Sequence, residues 1–218
     1  MSAAVRPAHA ARYAPLLPGF RPDPGPTTCT RPRATRTMAR LPYSDLSRSD
    51  VQPLVQRIVA ERGHVLHLYQ MLLHSPSLAE GWLGFLTAVR QRLDLPGDLR
   101  ELVIMRVAAL NGAPYEADQH APIALKEGVT QAQLDALRRD DLAADCFDPR
   151  QRAVLALTDS MTRQVQVPAK VLDAVRAHLG DRELIELVAT IAAYNMVSRF
   201  LEALHIHSDD ARVAAASA

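Results

Sequence analysis

Residues 99–128, LRELVIMRVAALNGAPYEADQHAPIALKEG, read as an apolar helix, a sharp stop, and a second helix that opens on Tyr115-Glu116 and carries His120. Leu99, Leu102, Val103, Val107 and Leu110 recur at helical spacing, while Ile104, Met105 and Ala108 make the opposite side apolar as well. A helix apolar on all sides belongs deep in a core, so a carboxylate on it, here Glu101, needs a reason. Asn111-Gly112 is a natural helix stop, and Pro114 suits the first turn of the next helix, where a missing N–H costs nothing. On that second helix Glu116 and His120 stand four residues apart and share a face, with Tyr115 on the same turn. Whether Glu101 reaches His120 depends on how the two helices cross.

Each of these residues has an ordinary structural explanation. With Asp98 as N-cap, Glu101 falls at the third helical position, where a carboxylate bonds backward and favours the helix dipole. Glu116 lies in the first turn after Pro114 and shares that excuse. His120, beside Ala117, Ala121 and Ala124, reads singly as a satisfied core histidine. Together they are more specific: two carboxylates, a histidine and a tyrosine at a helix junction supply a base, an orienting partner and a hydrogen-bond donor.

The run Arg-Glu-Leu, hydrophobic helix, Asn, Tyr-Glu and His, followed by a helix ending at Gly128-Val129-Thr130, resembles the carboxymuconolactone decarboxylase and alkylhydroperoxidase D-like family. The likeness extends from Arg40-Leu41-Pro42-Tyr43 through His67-Leu68-Tyr69 and His74-Ser75-Pro76 to Ala193-Tyr194-Asn195 and Arg199. It implies an all-α, single-domain helical bundle over residues 38–208, assembled as a homotrimer or homohexamer. It also implies that Glu101 and His120 are the proton-relay positions, with Tyr115 and Glu116 matching the Tyr-Glu before the histidine. The aromatic residue usual after that glutamate is Ala117 here, which points to a roomier pocket or another substrate. The peroxidase branch of the family carries a Cys-x-x-Cys pair, and its positions are Ala113 and Glu116 in this chain, so thiol peroxidase chemistry is not expected.

A chain of 218 residues with 48% hydrophobic residues can bury one sizeable core. Basic residues exceed acids by one charge, and no basic run interleaved with aromatics argues for nucleic acid. Arg106, Asn195 and Arg199 interrupt the longest apolar stretches, so no bilayer span and no membrane partner is expected. Cys29 and Cys146 show neither a CxxC nor a metal-type spacing, which fits a reducing cytoplasm.

Residues 1–37 hold six arginines against the single acid Asp23 and lack a sustained hydrophobic period; they read as a disordered leader or an over-long start before Met38. A helix is expected from Asp50, as its cap, to Arg62, with Leu54, Val55, Ile58 and Val59 inward. His64, His67 and His74 fall on roughly one side of a further helical segment, a pattern open to a metal site, though interface or buried histidines explain it more simply. Pro76 opens a helix whose buried stripe is Leu78, Trp82, Phe85, Leu86 and Val89, and Trp82 and Phe85 can wall a pocket. Thr130 with Gln133 forms a capping box for a short helix. Asp148 caps another with Val154, Leu155, Thr158 and Met161 inward, Pro168 opens the next, and a last apolar helix runs from Asp181 to about His205. Arg182-Glu183-Leu184 echoes Arg100-Glu101-Leu102, a triplet too short to carry meaning by itself. Residues 209–218 read as a frayed tail.

Arg106 and Arg199 lie within apolar helices and need partners. These are foremost an internal acid (Glu101, Glu116 or Glu202), otherwise a substrate carboxylate or a subunit interface. The site read from sequence is therefore catalytic Glu101, His120 and Glu116, with Tyr115, Trp82, Arg106, Tyr194 and Arg199 toward substrate. No phosphate-binding glycine loop, nucleophile elbow or zinc motif is present, so chemistry without a cofactor or metal is the inference. The resemblance implies a decarboxylase of a carboxylated lactone in aromatic-compound breakdown. The competing readings are a catalytically silent helical oligomer and, less well supported, a hydroperoxide reductase using Cys146.

Overall fold

The computed structural model describes residues 39–210, so the readings of residues 1–37, of Met38 and of Cys29 lie outside the described residues. All regular elements described are helices: α1 (Gln52–Arg62), α2 (His67–Leu72), α3 (Pro76–Gln91), α4 (Gly97–Asn111), α5 (Pro114–Lys126), α6 (Gln131–Arg138), α7 (Pro149–Arg163), α8 (Ala169–Arg176) and α9 (Asp181–Leu204). The expected all-α bundle is what is found among the described residues.

Helix α4 is the septum of the bundle and packs on α5, α7 and α9. Leu99, Val103, Ile104 and Val107 face the larger core with Tyr194, Leu187, Ile191 and Leu83. Leu102 and Met105 face a smaller one with Ala124, Leu134, Leu137, Phe147 and Leu155. Two cores on two sides explain why the helix is apolar all round. Gly112 ends α4 in the left-handed region (φ 62°, ψ 40°), and the N–H of Ala113 then closes on the Ala108 carbonyl at 2.9 Å. Pro114 starts α5 immediately afterwards. The capping boxes of Thr130 with Gln133 and of Asp148 with Gln151 are both formed.

Several expectations are corrected. Helix α1 begins at Gln52 with Val51 at its cap, and Asp50 instead receives Arg48; Val59 stays exposed. Helix α4 begins at Gly97, not after an Asp98 cap. The inner face of α3 is turned by about one residue: Ala79, Trp82, Leu83 and Leu86 go in, while Leu78 and Phe85 are about half exposed. The three histidines do not share a helix face, because α2 spans only His67–Leu72. His67 Nδ1 meets the His207 carbonyl at 3.1 Å, His74 Nε2 meets the Pro42 carbonyl at 2.7 Å, and His64 is exposed. Helix α9 is, among the described residues, long and apolar enough to cross a membrane, contrary to the expectation, but most of that apolar window is buried in the bundle. Its composition is that of a core helix. At the C-terminal end, Asp210 accepts hydrogen bonds from the Tyr43 hydroxyl and the His207 N–H.

Candidate functional site

Glu101 lies at the fifth residue of α4, one turn inside the helix, so it has no backbone N–H to cap. Its side chain is 1% exposed. A buried charge needs partners, and Glu101 has two: Oε2 accepts from His120 Nδ1 at 2.8 Å, and Oε1 accepts from Arg100 Nε at 3.1 Å. Burial pushes its pKa up, but the bonds from His120 and Arg100 outweigh that and hold it below the ordinary glutamate value. The hairpin crossing that sequence leaves open thus brings the two residues together.

An ionised carboxylate only accepts, so the proton of the His120 ring sits on Nδ1. Burial lowers the His120 pKa more than Glu101 raises it, and nearby Arg90 and Arg100 lower it further. The ring is a neutral imidazole at pH 7. Tyr194 stands edge-on to it, with ring centroids 5.0 Å apart. With Nδ1 committed to Glu101, Nε2 is the nitrogen available to a bound molecule.

Glu116 is tuned the opposite way. It is 2% exposed and neither carboxyl oxygen has a hydrogen-bond partner among the described residues. Burial, with the charge of Glu202 nearby, pushes its pKa well above the usual carboxylate value. It occupies the third position of α5, where a glutamate ordinarily bonds back to the N-cap N–H. Here the N-cap is Ala113, whose N–H is already spent on the Ala108 carbonyl that closes α4. Glu116 is left without the N–H that would hold its charge, and its neutral form is favoured.

Glu101 stands behind His120 without lining a wall; His120 and Glu116 open onto one cavity of about 320 Å³, within the range of small-molecule sites. Its walls include Tyr115, Glu116, Gln119 and His120 from α5, Tyr194 from α9, and Arg90 from α3. Of the residues expected toward substrate, Tyr115 and Tyr194 line it, and Tyr115 and Glu116 form buried wall rather than rim. The buried Tyr194 hydroxyl has no hydrogen-bond partner among the described residues, and desolvation raises its pKa, so it stays a phenol.

Trp82, Arg106 and Arg199 do not line the cavity. Trp82 packs on Phe200 at 5.2 Å between ring centroids. Arg106 makes a bidentate pair with Asp159 at 2.6 and 2.7 Å and a further contact to Asp140 at 2.6 Å. It does not use the glutamates expected, because it faces α7. Arg199 donates to Asn195 Oδ1 at 2.7 Å and to the Asn195 carbonyl. Cys146 lies in the loop before α7, packed against the smaller core and away from the cavity. Sequence reading missed Arg90, Gln119 and the Asp159 partner. Arg90 sits in the last turn of α3, where an arginine passes for a dipole partner, and Asp159 is 53 residues from Arg106.

Residues 76–160, which run from the start of α3 to within α7 and contain Glu101, Glu116 and His120, match the model of the carboxymuconolactone decarboxylase family. An uncharacterized protein of Bacillus subtilis, YdfG, is 29% identical over 102 residues, covering 46% of this chain and 69% of that protein. Among solved structures, an alkylhydroperoxidase AhpD core protein from Ralstonia eutropha described as peroxidase-related superposes with a TM-score of 0.69 at 20% identity, over 81% of this chain and 95% of that one. The debrominase Bmp8 in complex with 2,3,4-tribromopyrrole superposes with a TM-score of 0.63 at 19% identity, over 80% and 93%. The structural likenesses carry the fold, and residues 76–160 carry the similarity to the carboxymuconolactone decarboxylase family.

Proposed function

We propose that this protein is a cofactor-free acid–base enzyme of the decarboxylase type, acting on a small carboxylated, unsaturated lactone or a related acid in aromatic-compound breakdown. One observation carries the reading: two buried glutamates are tuned in opposite directions around one cavity, Glu101 held below the ordinary value by His120 on the cavity wall, and Glu116, itself on that wall, pushed well above it by burial. Groups pushed apart in this way mark the acid and base assignments.

In the reaction, the bond from the ring carbon to the departing carboxylate breaks and CO2 leaves. The electron pair passes through the ring double bond to the lactone carbonyl oxygen, giving a dienolate. The phenol of Tyr194 or the proton of Glu116 meets that developing charge. Protonation at the carbon next to the carbonyl by Glu116 completes the exchange, and solvent reprotonates the carboxylate. Neutral His120, oriented by Glu101, relays through Nε2 the proton that solvent returns to Glu116.

The missing Cys-x-x-Cys pair and the placement of Cys146 away from the cavity weigh against a thiol route. A cytoplasmic homotrimer or homohexamer belongs to the same reading and is checked by light scattering. The deciding experiment is loss of ultraviolet absorbance and release of CO2 on adding carboxymuconolactone to the protein. Turnover abolished by His120→Ala supports the reading. No turnover of this or any related lactone acid by the native chain overturns it and leaves a silent helical module.

A further inference from the structure

Among the residues that line the cavity one cation is left without an ion partner; Glu202, whose charge acts on Glu116, does not line it. Glu61 and Arg62 both line the wall, and their charges face each other at 3.9 Å. Arg62 is further tied by Nη2 to Thr87 Oγ1 at 2.6 Å, and Thr87 in turn donates to Glu61 Oε2 at 2.6 Å. Glu101 is matched by Arg100 behind His120, and burial pushes Glu116 toward its neutral form. Arg90, half-buried on the same wall, makes no hydrogen bond or ion pair among the described residues. Its charge is felt at His120 and at Tyr194, which places it within electrostatic reach of the reacting groups.

An arginine in the last turn of a helix gains from the helix dipole, but that interaction leaves all five N–H donors of the guanidinium without acceptors. Beside apolar Leu66, Leu68, Leu86 and Ile123 on the same cavity wall, the natural complement of those donors is a planar carboxylate, taken two bonds at a time. We propose that Arg90 is the anion anchor of the cavity and binds the carboxylate that the substrate retains. The substrate is then an acid with a second, non-departing carboxylate. The departing one lies toward His120, Glu116 and Tyr194. This rests on the acid–base reading of the same cavity, and it adds a specificity rule: neutral molecules of the same shape are rejected.

The test is calorimetric binding of furan-2-carboxylate and of its neutral isostere furan-2-carboxamide to the native chain, R90M and R90K. The native chain binds the acid at least tenfold more tightly than the amide, and added salt erodes that preference. In R90M the preference falls to about one while amide binding is unchanged, and R90K keeps part of it. A role in packing or in the dipole alone would weaken both probes together. With a turned-over lactone acid, R90M raises KM by a larger factor than it lowers kcat. Equal binding of acid and amide by the native chain overturns the proposal whatever the variants do, and so does an R90M that keeps the preference. If the preference is present and lost in R90M but no lactone acid is turned over, the anchor stands and the decarboxylase reading falls. If turnover occurs and R90M leaves KM unchanged, the anchor falls and the enzyme reading stands.

Discussion

The chain opens two long helices with the same triplet, Arg100-Glu101-Leu102 on α4 and Arg182-Glu183-Leu184 on α9, and uses the glutamates in opposite ways. Helix α9 starts at Asp181, so Glu183 is its third residue, and its Oε2 accepts from the N–H of Gly180 at 3.1 Å near the surface. Helix α4 starts at Gly97, so Glu101 is the fifth residue and projects into the core onto His120. Two residues of phase, about 200° around a helix, turn a cap into the buried partner of a histidine. Glu116 adds a third case. It holds the third position of α5, as Glu183 does in α9, yet it caps nothing, since the N–H it would accept from is already bound to the end of α4. Neither triplet nor position decides the role; the hydrogen-bond ledger of the neighbouring backbone does.

The largest effect expected to sharpen this comparison is that of Glu101→Gln on turnover. The amide keeps the volume but not the charge that orients His120, so activity should fall by about a hundredfold to ten-thousandfold. The same change should also move the histidine. The Glu101 bond raises the His120 pKa against the lowering by burial, so removing it sends the value lower still. A histidine whose folded pKa lies below its unfolded value, near 6.5, contributes stability in full above that pH and loses it as pH falls through the folded pKa. Glu101→Gln should therefore be more acid-sensitive than the native chain below pH about 6.5. Histidine NMR titration and melting curves at several pH values check this. A change in turnover of less than threefold would mean that Glu101 only fills space.

Next in size is Arg106→Met, which separates the two buried charges of α4. Breaking a buried pair costs about 3–5 kcal/mol, and the exposure of Asp140 and part of Asp159 reduces that to about 2–3 kcal/mol. At roughly 2–4 °C per kcal/mol for a chain of this size, the melting point should fall by about 5–10 °C. KM should stay within about twofold, because Arg106 does not line the cavity. A large rise in KM with the melting point unmoved would return Arg106 to the substrate.

Much of the fold was legible because its signals are local. Asn111-Gly112 and Pro114 mark the α4–α5 turn, Asp148 and Thr130 cap their helices as their spacing implies, and all-round apolarity marks α4 and α9 as core. What failed depended on phase or on distant partners. A stripe can be fitted one residue off, as in α3, because Leu78 and Phe85 are as apolar as Ala79 and Leu83. Three histidines share a face only if the helix persists between them, and α2 is six residues long. The site followed the same division. Glu116 and His120 share a helix and could be paired by spacing. The meeting of Glu101 with His120 could be named only through family likeness, and Arg90 and Asp159 through nothing local at all.

A smaller effect is expected from Glu116→Gln, and its sign is unusual. A carboxyl whose folded pKa is raised is fully stabilising only below its unfolded value near 4.5, and that contribution is lost as pH rises toward the folded pKa. An amide has no charge to suppress, so Glu116→Gln should be more stable than the native chain at pH 7–8, with the gain vanishing by about pH 4–5. Turnover should fall with the loss of the donated proton. Melting curves across that range decide it; a variant less stable at pH 8 would show that Glu116 is ionised and paired after all.

The smallest effect is that of Glu183→Ala. The bond it removes joins a half-exposed side chain to the N–H of Gly180, and water can replace the acceptor there, so the loss is that of a surface cap, typically about 0.5–1 kcal/mol. Glu183→Gln should lose less, since its amide oxygen still accepts and only the interaction of charge with the helix dipole goes. Neither should alter turnover, the His120 titration or the preference for a carboxylate ligand, because α9 reaches the cavity only through Tyr194, Val197 and Leu201, three turns or more from Glu183. The contrast with Glu101→Gln then measures what the two-residue difference in phase is worth. A tenfold loss of turnover in Glu183→Ala, with the melting point shifted by only a few degrees, would break the comparison: α9 would have to transmit its first turn to Tyr194, and the role of a glutamate could no longer be read from which backbone N–H it finds.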